Sequence, residues 1–163
     1  MKKNQGFSLV ELIVVIAIMA VLVGVLAPAY LRYVEKSRKS TDVSAISDIM
    51  AAGEKVAIDP QFSNENITTL TVTVSGGHVA IGTSAGTSGG TGTASTATTM
   101  LDEWVAICNG TSEDDVYTIK SKAFQDAGTF TGTVEDTGAV TWEPEGADEI
   151  ISFSPDFAAK WGF

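Results

Sequence analysis

The sequence predicts an α+β fold: a long N-terminal α-helix, its first half transmembrane, its second half packed on an antiparallel β-sheet head. Three observations carry this. Residues 12–31 (LIVVIAIMAVLVGVLAPAYL) are 20 consecutive positions without a charge. Apolar residues then recur at spacings of three and four, through Val43, Ile46, Ile49 or Met50, Gly53 and Val56 or Ala57, until Asp59-Pro60. Beyond Pro60 the apolar period drops to two, the period of a half-buried strand.

Met1 to Gly6 is short, polar and basic through Lys2 and Lys3. A secretory signal peptide begins in the same way, but its apolar core runs only about 7–15 residues. The uncharged stretch here has the length that crosses a hydrocarbon layer of about 30 Å. Basic residues lie on both sides of it, with Lys2, Lys3 and the free amine before and Arg32, Lys36, Arg38 and Lys39, less Glu35, after, so charge counting leaves the orientation open.

The decisive string is Gly6-Phe7-Ser8-Leu9-Val10-Glu11. A basic leader ends in Gly, Phe follows, a Glu stands fifth after the junction, and a long apolar helix carries Pro28. This combination resembles the processing site of type IV prepilins and the related pseudopilins, over roughly residues 1–59. The resemblance implies cleavage between Gly6 and Phe7 by a prepilin peptidase on the cytoplasmic side, with methylation of the new Phe7 amine. It also implies a leader inside, a head outside, and delivery by an inner-membrane assembly platform into a helical filament of identical subunits. The domain reading follows: leader 1–6, transmembrane and assembly half 7–31, amphipathic half 32–59, and globular head 60–163.

Glu11 interrupts the apolar stretch. A carboxylate within a membrane span costs about 2.5–3.5 kcal/mol on insertion scales, and such groups default to function. After cleavage, the Phe7 amine is a cation at nearly the same depth, and it meets the Glu11 of a neighbouring subunit more readily than its own. A subunit docked out of register leaves a charge unpaired in apolar surroundings. Family resemblance gives this Glu the same docking role. Gly24 and Pro28 form a weak point: Pro28 removes a helical hydrogen bond, and Gly lowers helix propensity by about 1 kcal/mol. The segment reads either as a tolerated membrane kink or as one that bends when the subunit leaves the bilayer; the resemblance favours the second.

The helix is expected from residue 7 to about 58, roughly 75 Å at 1.5 Å per residue. In the head, Leu70-Val72-Val74, Val79–Ile81, Val116–Lys122, Phe130–Val134, Val140–Trp142 and Ile150–Phe153 are the strand candidates, with a turn at Gly76-Gly77. A short helix is expected to start from a Thr99 cap, with Leu101, Trp104, Val105 and Cys108 in one stripe, and to stop at Asn109-Gly110. Cys108 then reads as a small residue on a core face. Residues 82–98 contain only Gly, Thr, Ser and Ala and read as an exposed loop whose hydroxyls could carry sugars. Core packing is the expectation for Trp142, Trp161 and Phe163.

From Ser40 to Phe163 there are 18 acidic residues against four lysines and no arginine, a net charge of −14. Such a surface does not neutralise phosphates, so direct nucleic-acid binding is not expected. The single histidine and single cysteine exclude clustered His/Cys zinc sites, and the lone cysteine excludes an intrachain disulfide. Glu113-Asp114-Asp115 reads as a solvated acidic run rather than a calcium site. No cofactor is expected. The leading function is a structural subunit of a type IV pilus, serving adhesion, motility or aggregation. The alternative is a pseudopilin of a type II secretion or DNA-uptake machine. A membrane-tethered binding module is more remote, as is an enzyme, for which no nucleophile constellation is visible.

Overall fold

The structure is a computed structural model that describes residues 8–62, 67–85, 98–135 and 137–163, with the side chains of residues 85, 98 and 99 left undescribed. These residues fall into two compact units, one ending at Ser37 and one running from Arg38 to Phe163. A single helix, α1 (Leu9–Ala57), contributes to both. In the first unit every residue from Ser8 to Tyr33 is exposed. Among the described residues α1 is the one helix long and apolar enough to cross a membrane, with a mean hydropathy of 3.1 in its most apolar window.

The second unit is built on an antiparallel sheet of five strands in the order β3-β2-β1-β4-β5. These are β1 (Ile67–Ser75), β2 (His78–Ala85), β3 (Tyr117–Thr118), β4 (Gly128–Val134) and β5 (Val140–Glu145). Gly76 and Gly77, both at positive φ, turn β1 into β2. One face is apolar: Leu70, Val72, Val74, Val79, Ile81, Phe130 and Trp142 are buried there. They share one core with the stripe Val43, Ile46, Ile49, Met50 and Val56 of α1, as the spacing of three and four predicts. The other face is threonine. Thr69, Thr71 and Thr73 pair across β1 and β4 with Thr133, Thr131 and Thr129. The Thr129 hydroxyl lies 3.2 Å from that of Thr73.

Helix α2 (Thr98–Ile107) delivers Trp104, which is fully buried and donates its indole N–H to the Ile49 carbonyl at 2.9 Å. The expected Thr99 cap lies inside this helix rather than before it. Asn109, at φ 54, supplies the left-handed residue that ends it. The loop expected at 82–98 is shorter at both ends. Gly82 and Thr83 pair with Thr71 and Leu70 in the sheet, Thr98 opens α2, and residues 86–97 lie outside the described residues.

One strand expectation is shortened and one fails. Val116–Lys122 keeps only the two-residue β3, because Asp42 of α1 captures the chain that follows. Asp42, fully buried, accepts the N–H of Ser121 at 2.7 Å, the N–H of Lys120 at 3.1 Å and the Tyr117 hydroxyl at 2.9 Å. Those N–H groups cannot serve a carboxylate and a ladder at once. The Ile150–Phe153 segment is helical, α3 (Asp148–Phe153), with acidic residues in its first turn. After it comes α4 (Pro155–Trp161), which the sequence reading does not contain. Ser154 caps it by accepting the Phe157 N–H, Pro155 fills its first turn, and Gly162 closes it at φ 81. This helix carries the C-terminal aromatics into the core. Trp161 meets Trp142 edge-on at 6.2 Å, and Phe163 stacks on Phe130 at 5.7 Å.

Candidate processing and assembly segment

Ser8 is the N-cap of α1. Its hydroxyl accepts the Val10 N–H at 3.3 Å, and its own N–H donates to Glu11 Oε2 at 2.8 Å. This is the reciprocal arrangement of a capping box, with the hydroxyl reaching the second helical N–H. The first N–H groups of a helix have no partner inside it, and the same end carries the positive pole of its dipole. The sequence reading gives Glu11 only a cation on another subunit; the structure adds a neutral partner in its own chain. The Ser-x-x-Glu spacing from Ser8 to Glu11 is the signal that finds it. One carboxylate oxygen is used in this bond, and a carboxylate offers about four acceptor positions. Capping therefore leaves Glu11 able to accept from a further donor. Gly6 and Phe7, the expected cleavage pair, lie outside the described residues.

Helix α1 runs unbroken through Gly24 and Pro28. In an α-helix the N–H of residue 28 would donate to the carbonyl of residue 24. Proline has no N–H, so the carbonyl left without that donor is Gly24's own. The two helix-weakening residues therefore act on a single turn. A Cβ added at Gly24 would meet nothing within 4 Å.

Residues 1–27 match the family described as the prokaryotic N-terminal methylation motif. The chain carries an N-terminal methylation motif. This motif contains the Ser8–Glu11 capping box and Gly24 and ends one residue before Pro28. Proteins similar to the motif-bearing chain include the fimbrial protein EcpC of Eikenella corrodens, 34% identical over 64 residues (39% of each chain). A fimbrial protein of Pseudomonas aeruginosa is 32% identical over 59 residues, 36% of this chain and 38% of that one. A type IV major alpha-pilin of Moraxella bovis is 41% identical over 59 residues, 36% of this chain and 34% of that one. The chain thus spans under two-fifths of the length of these curated relatives. No solved structure matches it.

The second unit places the remaining candidates. Cys108 is half-buried at the end of α2 and lines a groove of about 420 Å³ with Ala45, Ala52, Lys55 and Tyr117. Burial pushes its thiol up to about 11, the opposite of an activated thiolate. Burial, then the hydrogen bond to Asp42 and the charge of that carboxylate, push the Tyr117 phenol up to about 12. In the acidic run, Asp115 lies 2.9 Å from His78 Nδ1, and the Glu113 carbonyl accepts the Ile81 N–H at 2.8 Å. That run is thus tied to the sheet edge beside β2.

Proposed function

We propose that this chain is the precursor of a structural subunit of a type IV pilus, with a structural rather than an enzymatic role. The single observation that carries the reading is the N-terminal methylation motif placed on an apolar helical segment that is exposed from Ser8 to Tyr33 and whose first turn is capped by Ser8 and Glu11. The fimbrial and pilin names of the relatives support it. In this reading residues 1–6 are a leader removed between Gly6 and Phe7, and the Phe7 amine is methylated. Residues 7–31 anchor the precursor in the cytoplasmic membrane, leader inside and head outside. The same segment becomes the filament core, surrounded by its neighbours as an all-round apolar helix requires. Glu11 of one subunit takes up the Phe7 amine of another, which aligns the incoming subunit. The Gly24–Pro28 turn absorbs the change of surroundings.

The test is electron microscopy of material sheared from cells, labelled with antibody against the head. Long labelled filaments, lost in a Glu11→Val strain that still cleaves its leader, are the expected outcome. Antigen confined to the membrane fraction would replace this reading with a pseudopilin in a short secretion or DNA-uptake filament. Uncleaved antigen in both strains would remove filament assembly altogether.

A further inference from the structure

We propose that Tyr30, Arg32, Tyr33 and Lys36 form a collar that binds anionic phospholipid headgroups at the membrane face where the apolar segment of α1 ends. The uncharged run stops at Leu31, and all four collar residues are exposed. Tyr30, Tyr33 and Lys36 recur every three residues, and Arg32 stands four before Lys36. At 3.6 residues per turn the four cover about 160° of the helix circumference, with Tyr30 and Arg32 at the two edges and Tyr33 and Lys36 between them. Tyrosine rings place an apolar body and a polar tip at the headgroup level. Arginine and lysine beside them face the phosphates, and basic residues adjoining a span attract anionic lipid.

Two features make an anionic lipid the fitting occupant. The first is continuity: Tyr30 stands at the end of the uncharged run and Arg32 follows it directly, so the collar's depth is set by the span itself. The second is charge. Everything from Ser40 onward sums to −14, which an anionic membrane surface repels. Of the two cations that follow the collar, Lys39 is held over the Phe124 and Phe153 rings at 5.2 and 5.6 Å within the second unit. Arg32 and Lys36 are thus placed to offset repulsion of the head. The collar rests on the reading that α1 spans a membrane, and it holds whichever way the chain is oriented.

The experiment uses the full chain reconstituted in phosphatidylcholine vesicles with trace spin-labelled phosphatidylglycerol or spin-labelled phosphatidylcholine. Electron spin resonance reads the motionally restricted fraction of each label. A spanning helix restricts both labels; the collar adds a preference for phosphatidylglycerol, up to about fivefold per cation before screening. That preference should fall as sodium chloride is raised. In an Arg32→Gln/Lys36→Gln variant it should fall severalfold, to the remainder left by the other flanking cations, with the phosphatidylcholine fraction unchanged. Equal restriction of both labels by the native chain would overturn the proposal, as would a preference undiminished in the double variant. Loss of the preference to inorganic phosphate, beyond that caused by chloride of equal ionic strength, would also overturn it in favour of a free-anion site. No restricted lipid of either kind would overturn the spanning reading and the collar with it.

Discussion

The indole of Trp104 lies against Gly53 of α1, so close that a Cβ there would stand 2.6 Å from its ring. The glycine makes a notch in the helix, and the tryptophan fills it while donating to the carbonyl of Ile49. Gly53→Ala raises helix propensity by about 1 kcal/mol, but overpacking costs typically 1–3 kcal/mol. The clash is with a fully buried ring rather than a flexible chain end, so the net effect is destabilising. The melting temperature of Gly53→Ala, followed by tryptophan fluorescence, should drop by several degrees. An unchanged or higher value would mean that the notch is not needed.

Ser8 and Glu11 separate capping from charge. Glu11→Gln keeps an oxygen able to accept the Ser8 N–H and loses the negative charge. Ser8→Ala keeps the charge and loses the hydroxyl, at about 0.5–2 kcal/mol of helix stability. If Glu11 acts by pairing with a cation, filament yield falls severely in Glu11→Gln and little in Ser8→Ala. The reverse order, read by quantifying sheared filaments, would assign Glu11 to the helix start alone.

Asp42 and Tyr117 make an alkaline signature. Burial, with the Asp42 hydrogen bond and charge, pushes the Tyr117 phenol up to about 12 in the folded chain, against about 10 for an ordinary tyrosine. Between those values the folded chain holds a proton that the unfolded chain has released, so stability falls as pH rises. The contribution is complete below about pH 10 and lost on approaching 12. Ultraviolet titration of tyrosinate in the native chain should show one late-ionising phenol, and Asp42→Asn should move it earlier. Asp42→Ala strips the acceptor from the Lys120 and Ser121 N–H groups and should cost on the order of 3 kcal/mol in chemical unfolding.

Cys108 should be a slow thiol. Raising its pKa from 9.0 to about 11 lowers the thiolate fraction at neutral pH about a hundredfold. Alkylation by iodoacetamide should be slower than for a free cysteine by about that factor, and denaturant should restore the ordinary rate. A native rate equal to the unfolded one would contradict this placement.

The long helix, its apolar stripe and its stop at Asp59-Pro60 were legible because period and terminator agree. The central hairpin was legible because Leu70-Val72-Val74 alternates up to Gly76-Gly77. The residues near Ile150 were not. A short apolar run has no period long enough to distinguish helix from strand, and Ile150 is buried in either case. The cap Ser154 and the following Pro155 were the available correction. The shortening of β3 was beyond local reading, since its cause is Asp42, 78 residues before Lys120. In the N-terminal segment, Glu11 stood out by its charge in an apolar run. Its bond to Ser8 was hidden by that prominence, although the spacing that announces it is three residues.

The threonine face of the sheet has a consequence for how β1 finds β4. Slide one strand past the other by two residues, and threonine still meets threonine along most of the outer surface. That surface carries no information about alignment. The inner surface carries it instead: Leu70 faces Gly132, Val72 faces Phe130 and Val74 faces Gly128, a small–large–small pattern that a slip would misread. Gly132 also lies beneath Trp142, where an added Cβ would come within 3.0 Å of the ring. Proofreading of this sheet therefore takes place only from within, and two glycines on either side of one phenylalanine spell the message.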